Sequence, residues 1–199
     1  MFINNLYGKE YDKDEKLKFE GEYLNGERNG KGKEYNNNEK VNFEGEYLFG
    51  NRNGKGKEYY YSGEIKFEGE YLNGERWNGK GYNKYGKIDF EIKDGNGKVK
   101  EYYNDDKLKF EGEYLKGRRN GKGKEYYYHG KLNYEGEYLK GEKNGKGKEY
   151  YADGKLIFEG EYFKGKRWNG KGYILNLKII PHFHTKVLNF YKIKIHFVH

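Results

Sequence analysis

The string Phe-Glu-Gly-Glu-Tyr-Leu-Asn-Gly, residues 67–74, returns along the chain at a fixed interval. Copies of its aromatic-Glu-Gly-Glu-Tyr core start at Phe19, Phe43, Phe110, Tyr134 and Phe158, and each has a Gly three residues past its Tyr. Gly21, Gly45 and Gly69 are spaced by 24 residues, and so are Gly112, Gly136 and Gly160. A period of this length builds an array of small units, each burying its apolar face only against its neighbours.

Each unit reads as a strand. Leu108, Phe110, Gly112 and Tyr114 fall on one side at period two, and Lys109, Glu111, Glu113 and Leu115 on the other. Strict alternation is the pattern of a half-buried strand, not a helix. The same face recurs around Phe19, Gly21 and Tyr23, then Phe43, Gly45 and Tyr47, then Phe67, Gly69 and Tyr71. It recurs again around Tyr134, Gly136 and Tyr138, and around Phe158, Gly160 and Tyr162. The central Gly is expected to let a ring from a neighbouring strand lie over bare backbone. A second strand, such as Gly121–Tyr127, follows the loop Lys116-Gly117-Arg118-Arg119-Asn120. Asp153-Gly154 then predicts a two-residue turn into the next unit, with positive φ at both residues. Each period is thus a hairpin, with Glu of one strand facing Lys of the next.

An offset of 91 residues relates Phe19 to Phe110, Gly45 to Gly136 and Trp77 to Trp168. The chain therefore reads as a tandem duplication of a 91-residue block. Residues 1–18 form a half-repeat, 19–172 the hairpin repeats, and 173–199 a basic tail outside the pattern. A degenerate repeat at 90–109 has Ile92 where Gly is expected and Asp94 where Tyr is expected. It reads as a hairpin with a tightened loop, through which the strand pattern continues. Each block ends in Arg-Trp-Asn-Gly-Lys-Gly-Tyr, at 76–82 and 167–173. Gly74 to Lys80 mimics a phosphate loop, but Gly81 stands where Ser or Thr is needed and no helix follows. The tail lacks Gly, Asp and Glu and carries His182 and His184, which lack the further ligands of a metal site. An appendage or makeshift cap is expected there.

The repeat resembles the MORN repeat, aromatic-x-Gly-Glu-aromatic-x-x-Gly-x-x-x-Gly-x-Gly. Phe19, Gly21, Glu22, Tyr23, Gly26, Gly30 and Gly32 match in order, and the likeness covers about residues 7 to 172. The Tyr-Tyr-x-x-Gly-Lys-Leu portions are similar to a MORN variant of bacterial proteins labelled antitoxins. The resemblance implies an all-β fold, an elongated single-layer antiparallel sheet of stacked hairpins in a MORN-type solenoid. It also implies non-catalytic work: scaffolding, self-association, or association with membranes and phosphoinositides.

Composition narrows the partners. A hydrophobic content of 34% with 36% charged residues would suit a disordered chain, but 19% aromatic residues at a fixed period do not. No Cys is present, so disulfides and thiolate metal sites are excluded. Neither a signal pattern nor an apolar run of membrane-spanning length occurs, so a cytoplasmic protein is expected, with membrane association as the alternative. The net charge of +8 belongs to the second half. There Arg118, Arg119, Lys122, Lys124, Lys164, Lys166 and Arg167 are candidate contacts for an anionic lipid surface or a partner. If the repeats stack in register, Arg28, Arg52, Arg76, Arg118, Arg119, Lys143 and Arg167 are expected to form a row of loop cations along one edge. Nucleic acid is disfavoured, because the rings are needed for the core. Paired carboxylates such as Glu20 and Glu22 repeat everywhere, unlike a unique catalytic site. No enzyme activity and no cofactor are expected. The reading is a scaffold for protein partners or for itself. A peripheral anionic-lipid module and an antitoxin-like neutralising protein are the alternatives.

Overall fold

Alternation at period two becomes strand throughout the computed structural model, which describes residues 6–174 and 191–196. The chain forms two units, Met1–Arg118 and Arg119–His199. In the first, β1 (Leu6–Tyr11), β2 (Leu17–Leu24), β3 (Glu27–Tyr35), β4 (Val41–Leu48), β5 (Asn51–Tyr59), β6 (Ile65–Leu72), β7 (Glu75–Tyr82) and β8 (Ile88–Ile92) pair antiparallel in chain order. β9 (Gly97–Tyr102) and β10 (Leu108–Leu115) pair with each other in a different sheet. The second unit carries β11 (Arg118–Tyr126), β12 (Leu132–Leu139), β13 (Glu142–Tyr150), β14 (Leu156–Phe163), β15 (Lys166–Ile174) and β16 (Tyr191–His196), again antiparallel in chain order.

Glycines set the register. Gly8, Gly21, Gly32, Gly45, Gly56, Gly69 and Gly79 lie opposite one another strand by strand, making a seam across the first sheet. A methyl on Gly32 would stand 2.4 Å from the Phe19 ring, and one on Gly21 would stand 2.8 Å from it. Each ring therefore covers the glycine of its own strand as well as that of the neighbour, where only the neighbour was expected. Edge-to-face contacts link the rings across strands: Phe19 to Tyr47 and Phe43 to Tyr71, both at 5.1 Å. This row of rings is the core of the unit; Phe19, Phe43 and Phe67 are fully buried.

The turns reverse an expectation. The two-residue turns are Asn25-Gly26 (φ 52° and 84°) and Lys116-Gly117 (φ 52° and 80°), within each hairpin. The Asp153-Gly154 connection is longer. Only Gly154 has positive φ, the Tyr151 N–H donates to the Lys155 carbonyl at 2.8 Å, and the Asp153 carboxylate accepts the Lys155 N–H at 3.0 Å. A two-residue turn needs positive φ at both positions to match strand twist. That geometry is imposed on Lys116 by the strands it joins, so the residue type gave no sign of it.

The degenerate repeat is a hairpin as expected, with Asp94-Gly95 (φ 51° and 73°) at its tip and a bridge from Lys93 to Asn96. The strand pattern does not, however, run through it as one ladder: one sheet ends at β8 and another begins at β9. Ile92 stands opposite Gly79 and Val99 opposite Gly112, both buried. Side chains at these two seam positions interrupt the glycine row where the ladder stops.

Candidate functional site

Alternation gives the first sheet two unlike faces. On the ring face, Glu10, Glu34 and Glu58 each lie opposite an aromatic residue. Arg28 clamps Glu10 through Nε (2.9 Å) and Nη2 (2.6 Å), Arg52 clamps Glu34 (3.0 and 2.6 Å), and Arg76 clamps Glu58 (2.8 and 2.6 Å). Planar, two-point pairing is what a guanidinium offers a carboxylate. The same guanidinium lies over a ring, 4.0 Å from the Phe19 and Phe43 centroids for Arg28 and Arg52, and 4.7 Å from Phe67 for Arg76. Tyr23, Tyr47 and Tyr71 donate their hydroxyls to the same three carboxylates. Burial acts to raise the Glu58 carboxyl, but Arg76 and Arg52 overcome it and hold its pKa at about 2. Burial and the Glu34 carboxylate push the Tyr47 hydroxyl far above its usual range.

The opposite face carries charge in stripes. Register places Glu20, Lys33, Glu44, Lys57 and Glu68 in one row; in the second row Lys31 faces Glu46 and Lys55 faces Glu70, with bulges at Glu22 and Glu46 interrupting it. Both rows change sign from strand to strand, so acidic and basic stripes alternate. Between them runs a groove of about 600 Å³, floored by the seam backbone and bordered at one end by Tyr7. In several hairpins the two Glu have separate structural tasks. The first accepts a Tyr hydroxyl, as in Tyr35 to Glu20 and Tyr150 to Glu135, both 2.6 Å. Burial and Glu20 push the Tyr35 pKa up to about 12. The second closes a β-bulge: Glu46 accepts the Lys55 N–H at 2.9 Å, and Glu137 the Lys146 N–H at 3.1 Å.

Family models match this pattern at residues 19–39, 43–65, 110–131 and 134–155 as MORN repeat, and at 95–116 as MORN repeat variant. The chain belongs to the MORN-repeat family. No curated protein matches it. The hairpins that start at Phe67 and Phe158 lie outside those matches, and in both, the strand after the turn carries a Trp, Trp77 or Trp168, and the register differs from that of the Phe19 hairpin. Gly69 pairs with Gly79, not with the second Gly of the motif, so Gly81 faces Phe67 where Glu34 faces Phe19. The acidic partner of the ladder is thereby lost, and the Phe90 ring fills the space over Gly81.

The cations singled out from the sequence each have their own surroundings. Arg119 pairs with Glu125 at 2.7 Å and Arg167 with Glu149 at 2.6 Å, beside the rings of Tyr138 and Phe158. Lys122 and Lys124 sit on the other face, opposite Glu137 and Glu135. Arg118 pairs with Glu75 at 3.0 Å, Lys164 lies in a turn with its ammonium 5.4 Å from the Phe163 ring, and Lys166 is exposed at the start of β15. The expected row of loop cations is corrected too. Arg28, Arg52 and Arg76 do align, but as strand residues folded over rings and neutralised by Glu. A two-residue turn is too short to leave them in a loop. Sequence reasoning missed the Glu34 and Glu58 partners; their recurrence in Gly-Lys-Gly-Lys-Glu was the available signal.

Among the described residues no cluster of His, Asp or Glu could hold a metal, and no helix is long and apolar enough to cross a membrane. The His182 and His184 pair lies outside the described residues. Of the tail, Tyr173 and Ile174 end β15 and Tyr191–His196 pairs with it; the rest of the expected cap or appendage lies outside the described residues.

Proposed function

We propose that this chain is a non-catalytic scaffold that binds protein, and that the striped groove of its first unit is a contact surface. MORN repeats are typical of proteins that mediate protein or membrane interactions, which supports the reading. One observation carries the reading: acidic and basic rows alternate across the groove, so the face offers mixed charge in register. A polypeptide can match such a surface. A uniformly anionic bilayer gains little from it, because each cation row is flanked by carboxylates. A photo-crosslinking residue in place of Lys57, in the groove, tests this in the native cell. Adducts to one or a few proteins, or to a second copy of the chain, are expected. Adducts to lipid, with salt-sensitive flotation on anionic vesicles that disappears when Arg118, Arg119 and Arg167 are neutralised, would establish the membrane reading instead.

A further inference from the structure

β1 has the sequence of an inner strand, yet among the described residues it has one strand neighbour, β2. Its Tyr7-Gly8-Lys9-Glu10-Tyr11 repeats Lys31-Gly32-Lys33-Glu34-Tyr35, 24 residues on, with one change. Toward β2 it makes the contacts that β3 makes toward β4: Gly8 faces Gly21, Lys9 faces Glu20 and Glu10 faces Phe19. β3 also has an acidic strand on its other side, where Gly21, Glu20 and Phe19 face Gly32, Lys33 and Glu34. That strand brings the Phe19 ring over Gly32 and against Tyr47.

Around Gly8 the described residues supply one ring, that of Tyr23; the ring corresponding to Phe19 is missing. Exposure marks the gap. Tyr47 and Tyr71 are 4% and 3% exposed and Tyr23 only half-buried, while Leu6, on the same face as Gly8, is 68% exposed. The socket is therefore a bare glycine beside an uncovered Tyr edge, with Lys9 next to it and an unpaired strand edge to extend.

We infer that β1 docks an extended acidic-aromatic segment of a partner protein, of the pattern aromatic-Glu-Gly-Glu-aromatic, antiparallel and with its Gly opposite Gly8. The register puts an incoming Glu opposite Lys9 and an aromatic ring over Gly8. A second copy is not the occupant, because each described strand that carries the pattern aromatic-Glu-Gly-Glu-aromatic already lies inside its own sheet. The inference rests on the reading of the chain as a protein-binding scaffold, and it names the outer edge of β1, where Tyr7 borders one end of the groove.

The probe is the octapeptide LKFEGEYL, the sequence of β2, titrated into the full chain and followed by amide NMR. Shifts confined to β1 and Tyr23 with one-to-one stoichiometry are expected, together with loss of binding for LKAEGEAL. Lys9→Glu should weaken LKFEGEYL several-fold and improve LKFKGKYL by a similar factor. That swap reads out pairing and not folding. Equal affinity of LKFEGEYL for both proteins, equal affinity for the ring-less peptide, or β1 protected in a dimer of the free chain would each overturn the inference. Crosslinks from position 57 are read at the groove, so a failed peptide titration leaves the scaffold reading to be judged separately.

Discussion

The hairpin around Phe43 and Arg52 and the one around Tyr134 and Lys143 occupy the same place in two blocks 91 residues apart. Arg52 grips Glu34 at two points and lies flat over Phe43. Lys143 reaches Glu125 at 2.9 Å and stands 4.2 Å from the Tyr134 centroid. Both cations pair with the acid and cover the ring, but only the planar guanidinium can do so with two parallel hydrogen bonds. In the second block the ring gains a hydroxyl, which reaches the Glu137 carbonyl at 3.3 Å. The architecture needs a cation over a ring beside a carboxylate; which cation and which ring set only how firmly each hairpin is held.

The widest separation between the blocks is expected at the last acid of each ladder. Glu58 accepts from Arg76, also accepts the Tyr71 hydroxyl at 2.8 Å, and lies 3.7 Å from Arg52. Its side chain and that of Arg76 are 16% and 17% exposed; Glu149 and Arg167, the equivalent pair, are 23% and 37% exposed. Glu58→Ala strands a buried guanidinium and should cost about 3–5 kcal/mol. Glu149→Ala should cost only about 1–2 kcal/mol, because water reaches the cation left behind. Native-state hydrogen exchange on each unit measures both, and equal losses would sink the comparison. Acid titration sharpens it. The Glu58 pKa is depressed from 4.5 to about 2, so its stabilisation is complete above about pH 4.5 and lost as pH falls toward 2. The stability gap between the wild-type chain and Glu58→Gln should therefore close over that window.

Next in size are the seam glycines. A methyl at Gly56 would stand 2.6 Å from the Phe43 ring, and one at Gly147 would stand 2.4 Å from the Tyr134 hydroxyl. Gly56→Ala and Gly147→Ala should each cost about 1–3 kcal/mol by overpacking. Shortening the ring separates them: Tyr134→Phe should relieve part of the Gly147→Ala cost, whereas Gly56→Ala has no hydroxyl to remove. Thermal melts of the double variant decide this.

Strands, pairing order and ring face were legible because rings and glycines recur at a fixed interval, and nothing but a stack of hairpins accommodates that. The charge ladder on the ring face was not. Arg52 and Glu34 are 18 residues apart, and they meet only once the bulge between Gly45 and Tyr47 sets the register. Turn lengths were hidden for a similar reason: Lys116 and Lys140 adopt positive φ because of the strands they connect, against their own preference. The end of the first ladder was readable as Ile92 in place of Gly. Its meaning, a side chain obstructing the seam, needed the opposing Gly79.

A smaller effect comes from restoring the first block's chemistry in the second. Lys143→Arg, with Tyr134→Phe, rebuilds the Arg52–Phe43 arrangement and should stabilise the second unit by about 1 kcal/mol through a second charge-assisted hydrogen bond. Denaturant midpoints measure it; destabilisation would mean that the Lys–Tyr pair is matched to its own surroundings.

The smallest effect is expected on the striped face, and its smallness is informative. Lys57 and Glu68 pair at 3.1 Å, but their side chains are 40% and 45% exposed. Exposed pairs of this kind contribute between nothing and about 1 kcal/mol. Lys57→Ala should thus change the denaturation midpoint very little. Register on this sheet is already set by glycines and rings, so a regular alternation of stripes is more than folding requires. If the groove binds protein, Lys57→Ala will weaken capture of the partner crosslinked from that position while leaving stability nearly unchanged. A large stability loss with unaltered capture would assign the stripes to the fold and remove the groove as the contact surface.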